Sequence, residues 1–219
     1  MKLEELWQKS AAISKATPSE AAQKYALEEA FQICDSVRES VDRPSLSQAA
    51  AAVVEILSDT KWALCGGLAV GVWTEPRATK DIDVLTTDRS NTITKLLQSH
   101  QFSVGVIDVL DIESKHWNLP KQVALQALKT AVSQRAFGRR VLVVAPAGLI
   151  AMKLGRAITK LQGARQDQVD ILNILRKHGY QDLSAYDLTI TMKEAYQQLV
   201  AESEAIQDQP PSDDGIVGH

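Results

Sequence analysis

Two cysteines are all that the sequence holds, and Cys34 and Cys65 each sit inside an apolar pattern. Cysteines so placed read as reduced core thiols, which argues against a disulfide framework and points to the cytoplasm. Histidine is scarce too. His100, His116, His178 and His219 lie on separate segments without ligand spacing, so a zinc site is not expected. No uninterrupted apolar stretch is long enough to cross a bilayer. The opening MKLEELWQKS is charged and amphipathic, unlike a secretory signal, and no membrane association is expected. The sequence contains no P-loop, no Gly-x-Gly-x-x-Gly and no Gly-x-Ser-x-Gly, which removes the common ATPase, dinucleotide and hydrolase readings. Acids are missing from one long span: Ser114 to Gln166 contains no Asp or Glu.

That acid-free span carries Lys115, Lys121, Lys129, Arg135, Arg139, Arg140, Lys153, Arg156, Lys160 and Arg165, on a chain whose net charge is −3. Such a block is either a set of solvated helix faces or a surface for a polyanion, such as a nucleoside triphosphate, RNA or an acidic partner. With 219 residues, 45% of them hydrophobic, the chain suits one α/β domain with helical additions, or two small domains.

Four segments follow from composition and periodicity. Residues 1–60 read as a helical arm or cap. In it Thr17-Pro18-Ser19-Glu20 forms a capping box, and Ser45 with Gln48 caps a helix through Leu57. Residues 61–145 read as an α/β core. Its strands are expected at 62–65, 81–85, within 102–110 and at 140–144, and its helices at 68–73, 91–100 and 121–135. Residues 146–206 read as C-terminal helices over 146–161, 166–178 and 192–206, with Gly179 as a C-cap. Residues 207–219, with their prolines, glycines and acids, read as a disordered tail.

The chemistry is carried by Asp81 and Asp83. Two residues apart on a strand, their carboxylates project from one face while Ile82 and Val84 face the core. Paired anionic oxygens repel, and a divalent cation relieves the repulsion, as in sites that hold Mg²⁺ through one or two carboxylates and substrate phosphates. Upstream, Gly66-Gly67 follows a strand and opens a helix, where missing side chains let backbone N–H groups approach a phosphate. Arg77 and Thr79 flank the acidic strand. Arg77 can meet phosphate or acceptor, or pair with Glu75 or a nearby acid. On the helix after Pro146, Lys153, Arg156 and Lys160 form one cationic stripe by their spacing of three and four. Asp167 and Asp170, on the helix that follows, read mainly as salt-bridge partners of that stripe.

The composite of strand, Gly66-Gly67, Ala69, then Arg77-x-Thr79-x-Asp81-Ile82-Asp83 resembles the signature of nucleotidyltransferases of the abortive-infection AbiEii type, within the DNA-polymerase-β-like superfold. The resemblance is strong over residues 61–85 and looser over 141–175. It implies an α/β (α+β) fold, a small mixed sheet flanked by helices. It also implies a third carboxylate on a neighbouring strand, completing the metal site or deprotonating the acceptor. Asp108, in Val106-Ile107-Asp108-Val109-Leu110, is the expected residue, with Asp111 as its competitor. The implied activity is Mg²⁺-dependent (or Mn²⁺-dependent) transfer of a nucleoside monophosphate from a nucleoside triphosphate to a hydroxyl on RNA or protein. Asp81, Asp83 and Asp108 are its expected catalytic and metal residues; Gly66, Gly67, Arg77, Thr79, Lys153 and Arg156 are its nucleotide contacts. The resemblance further implies toxin-like enzymes, hence an antitoxin-like partner. Two alternatives remain: a catalytically weak or inactive binding or regulatory protein of the same fold, and a small-molecule adenylyltransferase of the aminoglycoside type.

Overall fold

Most of the strands are short and apolar and most are separated by helices, so a central sheet with helical layers is the natural arrangement. A computed structural model describes residues 46–77, 79, 81–98, 107–111, 119–159 and 163–207. Over these residues the order is α1 (Leu46–Ile56), β1 (Trp62–Cys65), α2 (Gly66–Trp73), β2 (Ile82–Thr86), α3 (Arg89–Gln98), β3 (Ile107–Asp111), α4 (Lys121–Lys129), β4 (Val132–Ala136), β5 (Arg139–Val143), α5 (Pro146–Ala157), α6 (Ala164–His178) and α7 (Ile190–Gln207). The five strands form one mixed sheet in the order β3-β2-β1-β5-β4. β1 is antiparallel to β2 and parallel to β5, β2 is parallel to β3, and β4 is antiparallel to β5.

Register assigns the two faces. Leu64 pairs with Val84 and with Val143, and Cys65 pairs with Asp83. Leu64, Ile82 and Val141 meet Ala50, Val53 and Val54 of α1 at a small apolar pocket, so α1 covers that face. Period-two alternation sends Ala63, Cys65, Asp83 and Leu85 to the opposite face. α2 packs against β1, β2 and α5, and α5 packs in turn on α4 and α6. α2 is apolar all round, and Gly67 through Gly71 are buried, as expected of a helix enclosed by sheet and helices. Trp73 at its end is pinned by an Nε1–H that donates to the Val144 carbonyl at 2.8 Å.

The ends of these elements follow their sequence signals. Pro146 begins α5, where its missing N–H is not needed. α6 starts at Gly163 (φ +89°) and ends at Gly179 (φ +71°), whose N–H donates to the Leu175 carbonyl at 2.7 Å. Arg176, Lys177 and His178 occupy its last turn, beside the carbonyl end of the helix dipole.

The structure corrects one expected element. A helix is expected from Lys121 to Arg135, but α4 stops at Lys129 and residues 132–136 form β4. Thr130 closes the helix through N–H and hydroxyl bonds to the Gln126 carbonyl. Phe137 (φ 53°) and Gly138 (φ 71°) then form a tight turn with both φ positive, the geometry that suits a two-residue hairpin. Pairing with β5, a tertiary effect, decides the conformation of a segment whose own pattern is ambiguous. The helix expected at 146–161 ends at Ala157, and residues 160–162 lie outside the described residues. So do the first 45 residues of the expected arm, the tail after Gln207, Cys34 and Lys160. Cys65 is a free, buried thiol. Among the described residues no helix is long and apolar enough to cross a membrane.

Candidate active site

A cleft of about 620 Å³ opens between the end of β1, the start of β2 and the helices α5 and α6. Its walls include Gly66, Gly67, Arg77, Thr79, Asp81, Asp83, Lys153 and Arg156, so eight of the nine site residues expected from sequence meet there. Asp108 is the ninth. It does not line the cleft, but it stands level with Asp83 in the parallel β2–β3 register. Asp111 lies opposite Thr86, at the far end of the same ladder. Asp108, not Asp111, is therefore the β3 acid beside the pair.

Asp83 is 6% exposed, an unusual burial for a carboxylate. It is seated directly on Gly66, which has φ +63°; a Cβ there would overlap the Asp83 carboxylate. The Gly67 N–H donates to the Asp83 carboxylate. A Cβ on Gly67 would meet Thr79 Oγ1 at 2.9 Å and Arg77 Nη2 at 3.1 Å. The glycine pair thus makes room for the protein's own site residues, and both glycines also line the cleft. Asp81 stands in the bend just before β2, and Thr79 Oγ1 donates to its Oδ1 at 3.2 Å.

Burial, then the neighbouring Asp81 charge, raises the Asp83 pKa to about 7, although Lys153 and the Gly67 N–H pull the other way. Asp108 is exposed, yet partial desolvation and the Asp81 charge also raise its pKa. Burial, and secondarily Asp83, pushes the Cys65 thiol well up, which keeps it protonated; its Sγ–H donates to the Asp83 carbonyl at 3.4 Å. Among the described residues no three His, Cys, Asp or Glu side chains converge into a ready-made metal cluster. Asp81 and Asp83 are a two-carboxylate set, which suits a cation that takes its remaining oxygens from substrate and water.

The opposite wall is an ion network. Lys153 Nζ lies 2.7 Å from Asp167 Oδ1 and 2.9 Å from Asp170 Oδ2. Arg156 grips Asp167 through Nε and through Nη2, the latter at 2.9 Å. Arg77 reaches Asp170 with two parallel bonds of 2.8 Å each, and Gln166 Nε2 adds a third at 3.0 Å. Burial works to raise the Asp170 pKa, but the Lys153 charge and the Arg77 bonds outweigh it and hold the acid below its usual value. The cationic stripe read from the sequence is therefore neutralised in large part by α6. Sequence reasoning missed Gln166, whose spacing of four from Asp170 on one helix was the available signal. It also missed the apolar side of the cleft, formed by Leu110, Leu119, Leu149 and Met152.

No family model and no curated protein matches the chain. Among solved structures, it is similar to an antigenic nucleotidyltransferase-like protein from Paracoccidioides brasiliensis, with a TM-score of 0.53 and 18% identity. The match covers 74% of this chain and 90% of that one. At that identity the likeness shows a shared fold alone.

Proposed function

We propose that the protein is a metal-dependent nucleotidyltransferase that moves a nucleoside monophosphate from a nucleoside triphosphate to an acceptor hydroxyl. The observation that carries this reading is the acid pair: Asp83 seated on Gly66, and Asp81 beside it, in the wall of a cleft that Lys153 and Arg156 also line. Burial first, and the Asp81 charge second, raise the Asp83 pKa, and Mg²⁺ or Mn²⁺ held by both carboxylates would favour the ionised form against both. When bound, such an ion neutralises charge on the triphosphate and on the departing pyrophosphate.

The chain's own residues supply the rest. The cleft seats the triphosphate, and Arg156 and Lys153 place positive charge near the phosphates, held in position by Asp167. Asp108, exposed and level with Asp83, takes the proton of the acceptor hydroxyl, and its raised pKa improves it as a base. The hydroxyl oxygen bonds to the α-phosphorus as the bridging bond to the β-phosphate breaks, and pyrophosphate leaves with that electron pair. The acceptor in this reading is RNA or protein. The β4–β5 hairpin supports RNA, because Arg135 and Arg140 pair across it and both are exposed. The resemblance of residues 61–85 to the AbiEii-type signature is the ground for a toxin-like role with an antitoxin-like partner.

One observation favours a second reading, a weak or inactive regulatory protein of the same fold: Asp108 is not among the side chains that line the cleft. Incubation with each α-labelled triphosphate, Mg²⁺ or Mn²⁺, total RNA and a protein extract separates the two. Transfer that vanishes in the Asp81→Asn/Asp83→Asn double variant, at unchanged circular dichroism, supports the enzyme. Absence of transfer to every acceptor under both metals favours the regulatory protein.

A further inference from the structure

The helix that borders the cleft has two chemistries along one stripe. Leu149, Met152, Lys153 and Arg156 follow each other at offsets of three, one and three on α5, so they share one face, and all four line the cleft. Its first two members are apolar and its last two are cations. Leu119 adds further apolar surface to the same cleft, and Leu110, like Leu149, is nearly buried behind it. The polar side chains that the described residues give this cleft belong to the acid pair, the residues over the glycine turn or the α6 network. Arg77, Lys153, Arg156 and Gln166 are already engaged with Asp167 or Asp170.

We infer that Leu119 and Met152, backed by the nearly buried Leu110 and Leu149, form the base subsite, and that it selects a nucleobase by ring area, preferring purines to pyrimidines without reading the hydrogen-bonding edge. This rests on the nucleotidyltransferase reading of the cleft. Apolar contact grows with buried area, so a larger ring gains more. A site built from hydrogen-bonding groups would instead separate adenine from guanine sharply, because a mismatched edge leaves buried polar atoms unpaired. With Lys153 one residue from Met152, base and phosphate recognition meet within a single turn of α5.

The experiment is calorimetric titration of the full chain with non-hydrolysable analogues of ATP, GTP, CTP and UTP, and with inorganic tripolyphosphate, in excess Mg²⁺. The expected result is purine binding several-fold tighter than pyrimidine binding, with ATP and GTP within about twofold of each other. In Met152→Ala the purine advantage shrinks several-fold while tripolyphosphate affinity is unchanged. Met152→Leu, which keeps the volume, retains the advantage and controls for folding. A difference above tenfold between the two purines, or between the two pyrimidines, overturns the inference. Tripolyphosphate binding with no gain from any nucleoside overturns it alone and leaves the transferase reading standing. Failure of tripolyphosphate and all nucleotides to bind overturns both.

Discussion

Arg77 and Asp170, 93 residues apart in sequence, are joined by two parallel hydrogen bonds of 2.8 Å between guanidinium and carboxylate. Asp170 has no solvent exposure, and it also serves Lys153 and Gln166, so one buried acid ties the segment before β2 to α5 and α6. Removing that charge leaves Lys153 nearly buried with one of its two carboxylate partners and takes from Arg77 the carboxylate it pairs with. Asp170→Asn is expected to lower stability by about 3–5 kcal/mol. Arg77→Gln, which removes the more exposed partner and leaves Asp170 its lysine, costs about 1–3 kcal/mol. Urea unfolding of the two variants reads the difference, and equal losses would mean that Asp170 does not anchor the network.

Gly66 and Gly138 both have positive φ, but their surroundings differ. At Gly138 nothing lies within 4 Å of an added Cβ, whereas at Gly66 the Asp83 carboxylate already fills the space. Gly138→Ala therefore bears only the left-handed backbone cost, about 1–2 kcal/mol. Gly66→Ala bears that cost and displaces Asp83 as well, so it loses more stability and also nucleotide transfer. Thermal unfolding with a transfer assay tests this; a Gly66→Ala protein with ordinary activity would show that the seat of Asp83 does not matter.

The part of the site carried by local pattern was legible in the sequence. A strand, a glycine pair and a strand beginning in alternating acids need only neighbouring residues, and they place Gly66, Gly67, Asp81 and Asp83 where the cleft forms. Partnerships across the chain were less legible. Arg77 had Glu75 as a near candidate, yet it pairs with Asp170, which only the packing of α6 brings within reach. Spacing showed the Lys153–Arg156 stripe, and Asp167 and Asp170 read as its partners, but spacing does not reveal that Lys153 is 8% exposed between them. β4 was missed for a similar reason. Val132 to Ala136 continues from a helix, and its strand character comes from the register with β5 and the Phe137–Gly138 turn.

The Asp83 pKa gives stability a defined pH dependence. Its ordinary value is 3.8, and in the folded protein it is about 7, raised by burial and then by the Asp81 charge. Between those values the folded chain holds a proton that the unfolded chain releases, so rising pH favours unfolding. This contribution is harmless below the unfolded value, grows through the window from 3.8 to about 7, and is then constant. At about 1.4 kcal/mol per pH unit, the full penalty at pH 8 is on the order of 4 kcal/mol. Other carboxylates, Asp170 among them, titrate with the opposite sign, so the useful quantity is the difference between wild type and Asp83→Asn. The variant is expected to gain stability relative to wild type as pH rises from 5 to 8. Urea midpoints at those two pH values check it, and a constant difference would show that Asp83 ionises normally.

The same penalty predicts how the folded protein responds to cations. If Asp81 and Asp83 share a divalent ion, binding competes with the proton on Asp83 and is weak at pH 5, where that carboxyl is largely protonated. At pH 8 the acid is ionised, repulsion from Asp81 is unrelieved, and an ion gains most by joining them. Stabilisation by a ligand follows its concentration relative to its Kd, so millimolar Mn²⁺ or Mg²⁺ is expected to raise Tm at pH 8 and much less at pH 5. The pH-dependent part of the rise should disappear in Asp83→Asn, while Ca²⁺, which takes more ligands at longer distances, gives a smaller effect. Differential scanning with a chelator control measures all of this without any substrate. A Tm that rises equally at both pH values, or equally in the variant, would place the cation somewhere other than the acid pair.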